Sequence, residues 1–375
     1  SIPLEAPYLW AGGIYPGFSK TIVEVESADG VVGIGEAANA EYAALITEQL
    51  TPRLIGANPY DLADCERRCV PPYFKSKNTE DGGVIRAYGG LEMAIWDLVG
   101  KLEGRSVASL LGGLVRQQVP FSEYFAMRLE RGGAGGERTP KDVAEYCARV
   151  LERHGARMLE GKIGTASITE DVAMVREIRS AVGFEIPLRL DANMAWSVLE
   201  ARQALHLLEP FNVLCLEEPV RTLDELALLR QGTAIAFSSH DPDLAAAVRL
   251  GVPDAFVVNL SVLGGIRRTV QFIGACQELG VDVWFYSPDT GVANAAYLQV
   301  AGALEWVSKP SQTLLRWHAD DVLDGGPMIP DQGSIRVPDG PGFGVSIDPV
   351  ALERCHRRYL DEGRVDFFAR AMPTH

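Results

Sequence analysis

The stretch AFSSHDPD, residues 236–243, places one histidine and two aspartates between an apolar run and a helical pattern. Three roles fit His240, Asp241 and Asp243: a helix cap, a metal site or an acid/base group. Asp241 before a proline has the residue types of an N-cap followed by the first helical position. The stretch alone favours the cap, so the choice depends on which residues lie near it in the fold.

Acidic residues also end two apolar segments upstream. LRLDAN ends with Asp191 and Asn193, and LCLEEP ends with Glu217 and Glu218. Asp191 and Glu217 are 26 residues apart, and His240 follows Glu217 by 23 residues, so each interval holds about one strand and one helix. Adjacent carboxylates repel each other unless a cation lies between them. Because carboxylate oxygens suit Mg²⁺, the spacing predicts a divalent-cation site.

The elements that would position these residues alternate between strands and helices from about residue 118. The predicted strands are VPFSEYF, RMLEGKI, PLRLDAN, VLCLEEP, TAIAFSS, AFVVNL, VDVWFY and TLLRW, mostly separated by amphipathic helices. Strands that alternate with helices form a parallel sheet, and about eight such units fit a (β/α)8-type barrel, an α/β fold. In that barrel the C-terminal ends of the strands face the active site.

Lys162 ends the second strand and is the only lysine at a predicted strand end. A lysine with its ordinary pKa of about 10.4 would be protonated and unable to act as a base. A neighbouring Mg²⁺ and partial burial would lower its pKa toward about 7–8. The alternative is a salt bridge to Glu160 or Asp191.

The ends of strands one, seven and eight add polar candidates. Tyr124 lies near the end of strand one, Tyr286 and Asp289 follow strand seven, and His318 follows strand eight. Tyr286, Asp289 or His318 could serve as an acid, although simple packing or hydrogen bonding explains each of them equally well. Of the six histidines, only His240 and His318 are expected to reach the site.

The flanking segments predict a second domain. Residues 1–115 have α+β character, with two strands around the turn signal Asp29-Gly30. The turn-rich segment 325–375 is expected to pack back on this capping domain. The barrel then occupies residues 116–324.

Composition excludes several classes of protein. The 375 residues carry 35 Lys and Arg against 50 Asp and Glu, a net charge of −15, with no basic stretch that could follow phosphates. Nucleic-acid binding is therefore not expected. No apolar run approaches the ~18–20 residues of a membrane span, the N-terminus has no secretory pattern, and scattered cysteines suit a reduced, cytoplasmic protein. Since this surface repels anions at long range, a site for an anionic substrate must carry its own cations.

Several motifs resemble the enolase superfamily, mandelate racemase subgroup: LRLDANMAW, then CLEEPV one unit later, then the ending VPDGPGFGVSID. The N-terminal TIVEVESADGVVGIGEA and GGLEMAIWDLVGKLEGRSVASLLGG are similar to that subgroup's capping domain, so the resemblance covers nearly the whole chain. FSSH followed by VPDAFVVNLSVLGGI looks most like the glucarate-dehydratase-like branch.

The resemblance implies a modified TIM barrel with one Mg²⁺ at the ends of strands three to five. Asp191, Glu217 and His240 would be its ligands, and Lys162 would remove the α-proton of a carboxylate substrate whose enediolate the metal stabilises. The branch has asparagine at the position of His240, and imidazole is an unusual ligand for Mg²⁺. A water-mediated role for His240, an oxygen ligand from a neighbouring aspartate, and Mn²⁺ as the ion remain alternatives.

The chain also departs from the family pattern. The usual Lys-x-Lys pair of strand two is Glu160-Gly161-Lys162 here, and the strand-seven His and strand-six Asp of the branch are Phe285 and Asn259. Racemisation needs acid/base groups on both faces of the α-carbon, so the absent dyad argues against it. A syn dehydration needs only Lys162.

In this family the capping domain supplies the specificity contacts. Loops 10–20 and 73–83 are expected to close over the site, with Lys20, Lys75, Lys77 and Asn78 reaching a distal carboxylate or hydroxyls. The residues expected to contact the substrate are Asn193, Tyr124, Lys20, Glu218 and Asp289.

The expected activity is Mg²⁺-dependent dehydration of an acid sugar, a small carboxylate, to a 2-keto-3-deoxy acid by a homo-oligomer. One alternative is a racemase, epimerase or cycloisomerase of the same superfamily. A second is a homologue that binds a metal or ligand without catalysis.

Overall fold

The structure is a computed structural model that describes residues 1–71 and 82–365. The contacts expected of Lys75, Lys77 and Asn78 lie outside these residues. No helix within the two ranges is long and apolar enough to cross a membrane. All six cysteines are buried and free.

Two antiparallel hairpins begin the chain. Strands β1 (Ile2–Trp10) and β2 (Gly13–Phe18) form the first, and β3 (Thr21–Glu26) and β4 (Val32–Ala37) form the second. The second hairpin is the pair of strands predicted around Asp29-Gly30. The expectation of a loop over residues 10–20 is wrong, because most of that segment is β2.

Helices complete this part of the chain, and the longest of them packs on the second hairpin. They are α1 (Tyr42–Leu45), a π-helical turn (Ile46–Leu50), α2 (Thr51–Leu54), α3 (Leu62–Cys69), α4 (Gly82–Leu102) and α5 (Val107–Leu110). Helix α4 approaches β4 closely at Gly35, where a Cβ atom would lie 2.3 Å from the carbonyl oxygen of Gly90. Glycine at this position therefore permits the contact between helix and strand.

Seven parallel strands form the sheet of the barrel. They are β6 (Glu123–Phe125), β7 (Leu159–Lys162), β8 (Leu188–Asp191), β9 (Cys215–Glu217), β10 (Ala236–Ser239), β11 (Ala255–Val258) and β12 (Asp282–Phe285), each paired with the next. The helices among and after them are α6 (Pro140–His154), α7 (Ile168–Val182), α8 (Val198–Leu208), α9 (Leu223–Arg230), α10 (Leu244–Leu250), α11 (Leu260–Leu263), α12 (Ile266–Leu279) and α13 (Gly291–Ala303). This parallel sheet with its helices and the preceding domain confirms the predicted capped α/β barrel.

The eighth strand was predicted at TLLRW, residues 313–317, and this prediction is wrong. Leu315–Trp317 is a 3-10 helix with buried side chains at both ends, so its apolar character reflects packing in the core. The barrel closes a few residues earlier instead. Ser311 bridges Phe121 in parallel, and the N–H of Gln312 donates to the carbonyl of Phe285 at 2.8 Å.

The C-terminal segment contacts the start of the chain and the segment that leads into the barrel. Strand β13 (Ser334–Arg336) pairs antiparallel with β5 (Gln118–Pro120), and α14 (Pro349–Glu362) follows. The α-amino group of Ser1 donates to the carbonyl of Cys355 on α14 at 2.9 Å. The domain boundaries at residues 115 and 324 remain a prediction.

Local caps start the helices that follow the barrel strands. Helices α6, α7, α8 and α9 each begin with a capping box, in which a Ser or Thr and an acidic residue three positions later satisfy each other's backbone N–H. Helix α10 is different from its prediction. Its N-cap is Asp243, not Asp241, because the Asp243 side chain accepts from the N–H of Ala246 and the helix begins only at Leu244.

Asp171 in the first turn of α7 holds the loop that follows Lys162. Its Oδ2 accepts the N–H of Gly164 at 2.9 Å, while its buried Oδ1 has no hydrogen-bond partner. Burial raises the pKa of Asp171 from 3.8 to about 7, against a smaller opposite effect of the Gly164 N–H. Because the folded protein then holds this proton more tightly than the unfolded chain, the free energy of unfolding falls as the pH rises from about 4 to about 7.

We therefore predict that Asp171→Asn gains stability relative to the unaltered protein as the pH rises. Between pH 5 and pH 8 the difference in free energy of unfolding should move in favour of the variant by about 1–3 kcal/mol. Urea unfolding at both pH values measures it. Asp361→Asn, at an exposed position, is the control and should show no such trend. A difference for Asp171→Asn that does not change with pH would contradict the assignment.

Candidate active site

The last residues of three adjacent strands stand in one row inside the barrel. Lys162, Asp191 and Glu217 are Cα partners across β7, β8 and β9, and Ser238 of β10 continues the row. Partners in register on parallel strands point to the same face, so their side chains converge. His240 follows Ser238 by two residues, and its side chain lies against Glu217.

These side chains line a cavity of about 330 Å³ between the two domains. The barrel contributes Lys162, Asp191, Asn193, Glu217, His240 and Tyr286, and the capping domain contributes Tyr8, Trp10, Tyr15, Lys20 and Arg86. A larger cavity of about 510 Å³ lies between β3 and α14. The smaller cavity is the candidate site because the row of charged strand ends opens into it.

Lys162 is buried and paired with Asp191. Its Nζ contacts Asp191 Oδ2 and lies 5.9 Å from the centre of the Tyr124 ring. Burial lowers the pKa of Lys162, but Asp191 and then Tyr124, Tyr8 and Glu217 together raise it, so the pKa lies above its ordinary value. The salt bridge considered as an alternative is thus present, and the protein groups alone do not produce the expected fall in pKa.

Glu217 and His240 form the second pair of the site. Nε2 of His240 lies 2.9 Å from Glu217 Oε1, and Nδ1 lies 3.0 Å from the carbonyl oxygen of Val257. Burial and then Asp191 raise the pKa of Glu217 to about 7. Burial lowers the pKa of His240, but Glu218 and Glu217 together raise it to about 9. The carbonyl orients the ring so that Nε2 faces the cavity side of Glu217.

Gln312, at the closure of the barrel, is a site residue that the sequence analysis missed. Its Nε2 donates to Glu160 and, at 2.8 Å, to Glu217 Oε2. Glu160 is fully buried below the site, where it also accepts from Ser122 Oγ at 2.7 Å and lies 3.5 Å from the guanidinium of Arg189. Gln312 therefore fixes one oxygen of Glu217 and leaves the other directed toward His240.

Three predicted substrate contacts line the cavity, and two do not. Asn193, Tyr124 and Lys20 line it, and the side-chain oxygen of Asn193 is buried without a partner. Glu218 does not line it, because its Oε1 accepts the backbone N–H of His240 at 2.9 Å. Asp289 stands behind Lys20, whose Nζ it binds at 2.5 Å.

The two remaining acid candidates differ in position. Tyr286 lines the cavity, with its ring 4.3 Å from that of His240, and burial raises the pKa of its hydroxyl. His318 does not line the cavity. It packs against Phe18 and lies 3.5 Å from Asp321, so its assignment to the site is wrong. The error follows from the misplaced eighth strand, since the mouth at that position is formed by Gln312.

The donor set is chemically suited to a divalent cation. Glu217 Oε1 is buried beside His240 Nε2 at 2.9 Å, and the other ring nitrogen of His240 is held by a backbone carbonyl, as is typical of a histidine that binds a metal. Within residues 1–71 and 82–365, no three His, Cys, Asp or Glu side chains lie close enough together in this conformation to hold a metal ion. Lys162 and His240 instead supply the positive charge that Asp191 and Glu217 require. A divalent cation could supply this positive charge in their place, so the residues of the site fit a metal ion.

Two family models match the chain. Residues 142–351 match the model described as enolase C-terminal domain-like, and residues 5–112 match the mandelate racemase / muconate lactonizing enzyme N-terminal domain.

Curated relatives span nearly the full chain at low identity. A Streptomyces coelicolor protein named "Probable glucarate dehydratase" is 28% identical over 96% of this chain and 89% of its own. The chloromuconate cycloisomerase of Pseudomonas putida is 27% identical over 90% of this chain and 92% of its own. Relatives with different reactions thus match almost equally well.

Solved structures agree in fold. An enolase from Pseudomonas fluorescens with bound magnesium, potassium and tartrate has a TM-score of 0.87 and 25% identity, covering 96% of this chain and 92% of that one. An enolase from Streptomyces coelicolor, solved without magnesium, has a TM-score of 0.86 and 30% identity, covering 97% of this chain and 96% of that one.

The role of Gln312 can be tested by its effect on stability. Gln312→Leu should lower the free energy of unfolding by about 1–3 kcal/mol, because two buried carboxylates lose a donor. Urea unfolding at pH 7 measures the change. Gln231→Leu, at an exposed position, should stay within about 0.5 kcal/mol of the unaltered protein. Equal effects of the two substitutions would show that the bridge to Glu160 and Glu217 contributes nothing.

Proposed function

This chain belongs to the mandelate racemase and muconate lactonizing enzyme family of the enolase superfamily, and on that premise we propose that it dehydrates an acid sugar to a 2-keto-3-deoxy acid with Mg²⁺. The reaction begins with removal of the proton α to the carboxylate. The observation that carries the proposal is the row of Lys162, Asp191 and Glu217 at the mouth of one cavity. A base and two metal-ligating carboxylates are the groups that this chemistry requires.

Asp191, Glu217 and His240 would hold the ion, through carboxylate oxygens and Nε2. When bound, the ion supplies positive charge that withdraws electrons from the substrate carboxylate and offsets the negative charge of the Asp191 side chain. The relative from Pseudomonas fluorescens holds magnesium and tartrate together. The imidazole ligand makes Mn²⁺ a second candidate ion.

Lys162 is the proposed base. Its Nζ must be neutral to accept the α-proton, and in the structure the Asp191 carboxylate favours the protonated form. A second positive charge near Lys162 lowers the pKa of the amine, as a general base requires. Burial of the side chain acts in the same direction.

The cavity suits a small, hydroxylated acid. Its volume of about 330 Å³ is at the small end of ligand sites. Tyr124, Asn193 and Thr313 present polar groups to it, and the buried Asn193 Oδ1 has no partner in the protein. A substrate hydroxyl would satisfy that oxygen. These features support an acid sugar more than an apolar acid.

Two alternatives remain. A racemase, epimerase or cycloisomerase is favoured by relatives of that kind, such as the cycloisomerase from Pseudomonas putida. A homologue that binds a metal or ligand without catalysis is the other. Assays of a panel of mono- and diacid sugars with Mg²⁺ separate these functions. Formation of a keto acid supports dehydration, and exchange of the α-proton with D₂O without keto acid supports the first alternative. The absence of both keto acid and exchange supports the second alternative.

We predict that Glu217→Gln and Asp191→Asn each weaken binding of Mg²⁺ at least tenfold, because each removes one negative charge from the donor set. Isothermal titration calorimetry with the metal alone measures this. Asp361→Asn is the exposed control. Unchanged metal affinity in both site variants would refute the site.

The same titration identifies the third ligand. His240→Asn should shift preference toward Mg²⁺ over Mn²⁺, since it replaces a nitrogen donor with an oxygen. If Asp243→Ala loses the metal and His240→Ala does not, the histidine is not a ligand.

We predict that Lys162→Met binds substrate and metal but loses both turnover and α-proton exchange, because it keeps the length of the side chain and removes the amine. A fall of at least about 100-fold in exchange is expected for loss of a general base. Proton NMR in D₂O measures exchange, and a keto-acid assay measures turnover. Exchange that persists in this variant would place the base elsewhere in the cavity.

A further inference from the structure

We propose that Lys20, a lysine of the capping domain held by Asp289, is the proton donor to the leaving hydroxyl group. The proposal rests on the dehydration proposed above and replaces a mechanism in which Lys162 makes both proton transfers. Elimination would then use two lysines on different sides of one cavity.

Lys20 reaches the site from the segment between β2 and β3. Its side chain is only 8% exposed, lines the same cavity as Lys162, and binds Asp289 Oδ1 through Nζ at 2.5 Å. A lysine used only for solubility would extend into water. Burial of this ammonium group at the cavity wall requires a partner and suggests a function there.

Asp289, the partner of Lys20, is itself held in place by several side chains. Its Oδ2 accepts from Asn259 Nδ2 and from the Tyr297 hydroxyl, both at 2.8 Å, and Ser287 Oγ lies at 3.5 Å. These donors come from three separate places around the end of β12. The carboxylate is therefore fixed in position, and it holds the Lys20 side chain at the cavity wall.

The two lysines approach the cavity from different sides. Lys162 ends β7, the second position of the barrel, and Asp289 follows β12, the seventh. Each lysine is paired with its own aspartate, Lys162 with Asp191 and Lys20 with Asp289. A substrate between them would present its α-hydrogen to one amine and its β-hydroxyl to the other.

The proton balance closes without any further reactant. Lys162 takes the proton from C2, the electron pair forms the C2–C3 double bond, and the C3–O bond breaks. The leaving oxygen takes a proton from the Lys20 ammonium group and departs as water. The enol becomes a keto acid when Lys162 returns its proton to C3 and Lys20 accepts the proton of the C2 hydroxyl. Both lysines regain their initial charge.

The test compares Lys20→Met, Lys20→Arg and Lys101→Met in the full chain with Mg²⁺ and the acid sugar that the unaltered protein dehydrates. Lys101 is the matched control, because it also binds a buried carboxylate, Asp97 at 2.6 Å, but lies away from the cavity. Lys20→Met should lower kcat for keto acid at least about 100-fold while α-proton exchange in D₂O continues. Lys101→Met should turn over normally.

Lys20→Arg separates proton donation from positive charge. Arginine keeps the charge and can bind Asp289, but it does not release a proton near neutral pH. It should therefore restore KM and thermal stability but not kcat. Asp289→Asn should lower kcat as well, because Lys20 loses its anchor.

The proposal is overturned by a kcat for Lys20→Met within threefold of that of the unaltered protein, or by a kcat restored by arginine. A rise in KM alone would make Lys20 a substrate-binding group and would also overturn it. If the unaltered protein neither exchanges the α-proton nor eliminates water from any acid in the panel, the proposed function itself is wrong, and the Lys20 proposal fails with it.

Discussion

Three carboxylates buried at the mouth of the barrel, those of Asp191, Glu217 and Asp289, are each paired with one cationic side chain. Lys162 contacts Asp191, His240 lies beside Glu217, and Lys20 binds Asp289. A buried charge without a partner costs several kcal/mol, so this pairing is a condition for folding the site at all. In a chain with a net charge of −15, it also gives an anionic substrate local positive charge that the surface does not provide.

This constraint explains what could be predicted from the sequence. A carboxylate at a strand end has a local signal, since an apolar run stops at an acidic residue, and the spacing between Asp191 and Glu217 identifies adjacent strands. The alternation of strands and capped helices identified seven strands of the barrel. These signals are local or periodic, and they are sufficient to place Lys162, Asp191 and Glu217 at the ends of three adjacent strands.

Where the barrel is closed by few interactions, the sequence carried no such signal. Ser311 and Gln312 occupy the eighth position through one bridge and a few hydrogen bonds, and their polar neighbours do not resemble a strand. The buried apolar run that ends at Trp317 resembled a strand more closely. The eighth strand end was therefore predicted at His318, and Gln312 was not identified as a site residue. The N-cap of α10 was mispredicted for a similar reason. Asp241 and Asp243 are the same residue type, so only the backbone conformation determines that Asp243 is the cap.

Contacts between the two domains were the least predictable part of the site, because they join residues far apart in sequence. Lys20 and Asp289 are 269 positions apart, and nothing around either residue identifies the other. Nearby, burial and then Asp289 raise the pKa of Glu36 to about 8, and Glu36 accepts from Thr290, the residue after Asp289. The capping domain is thus joined to the barrel by polar contacts beside the cavity, so a change that separates the domains would also remove Lys20 from the site.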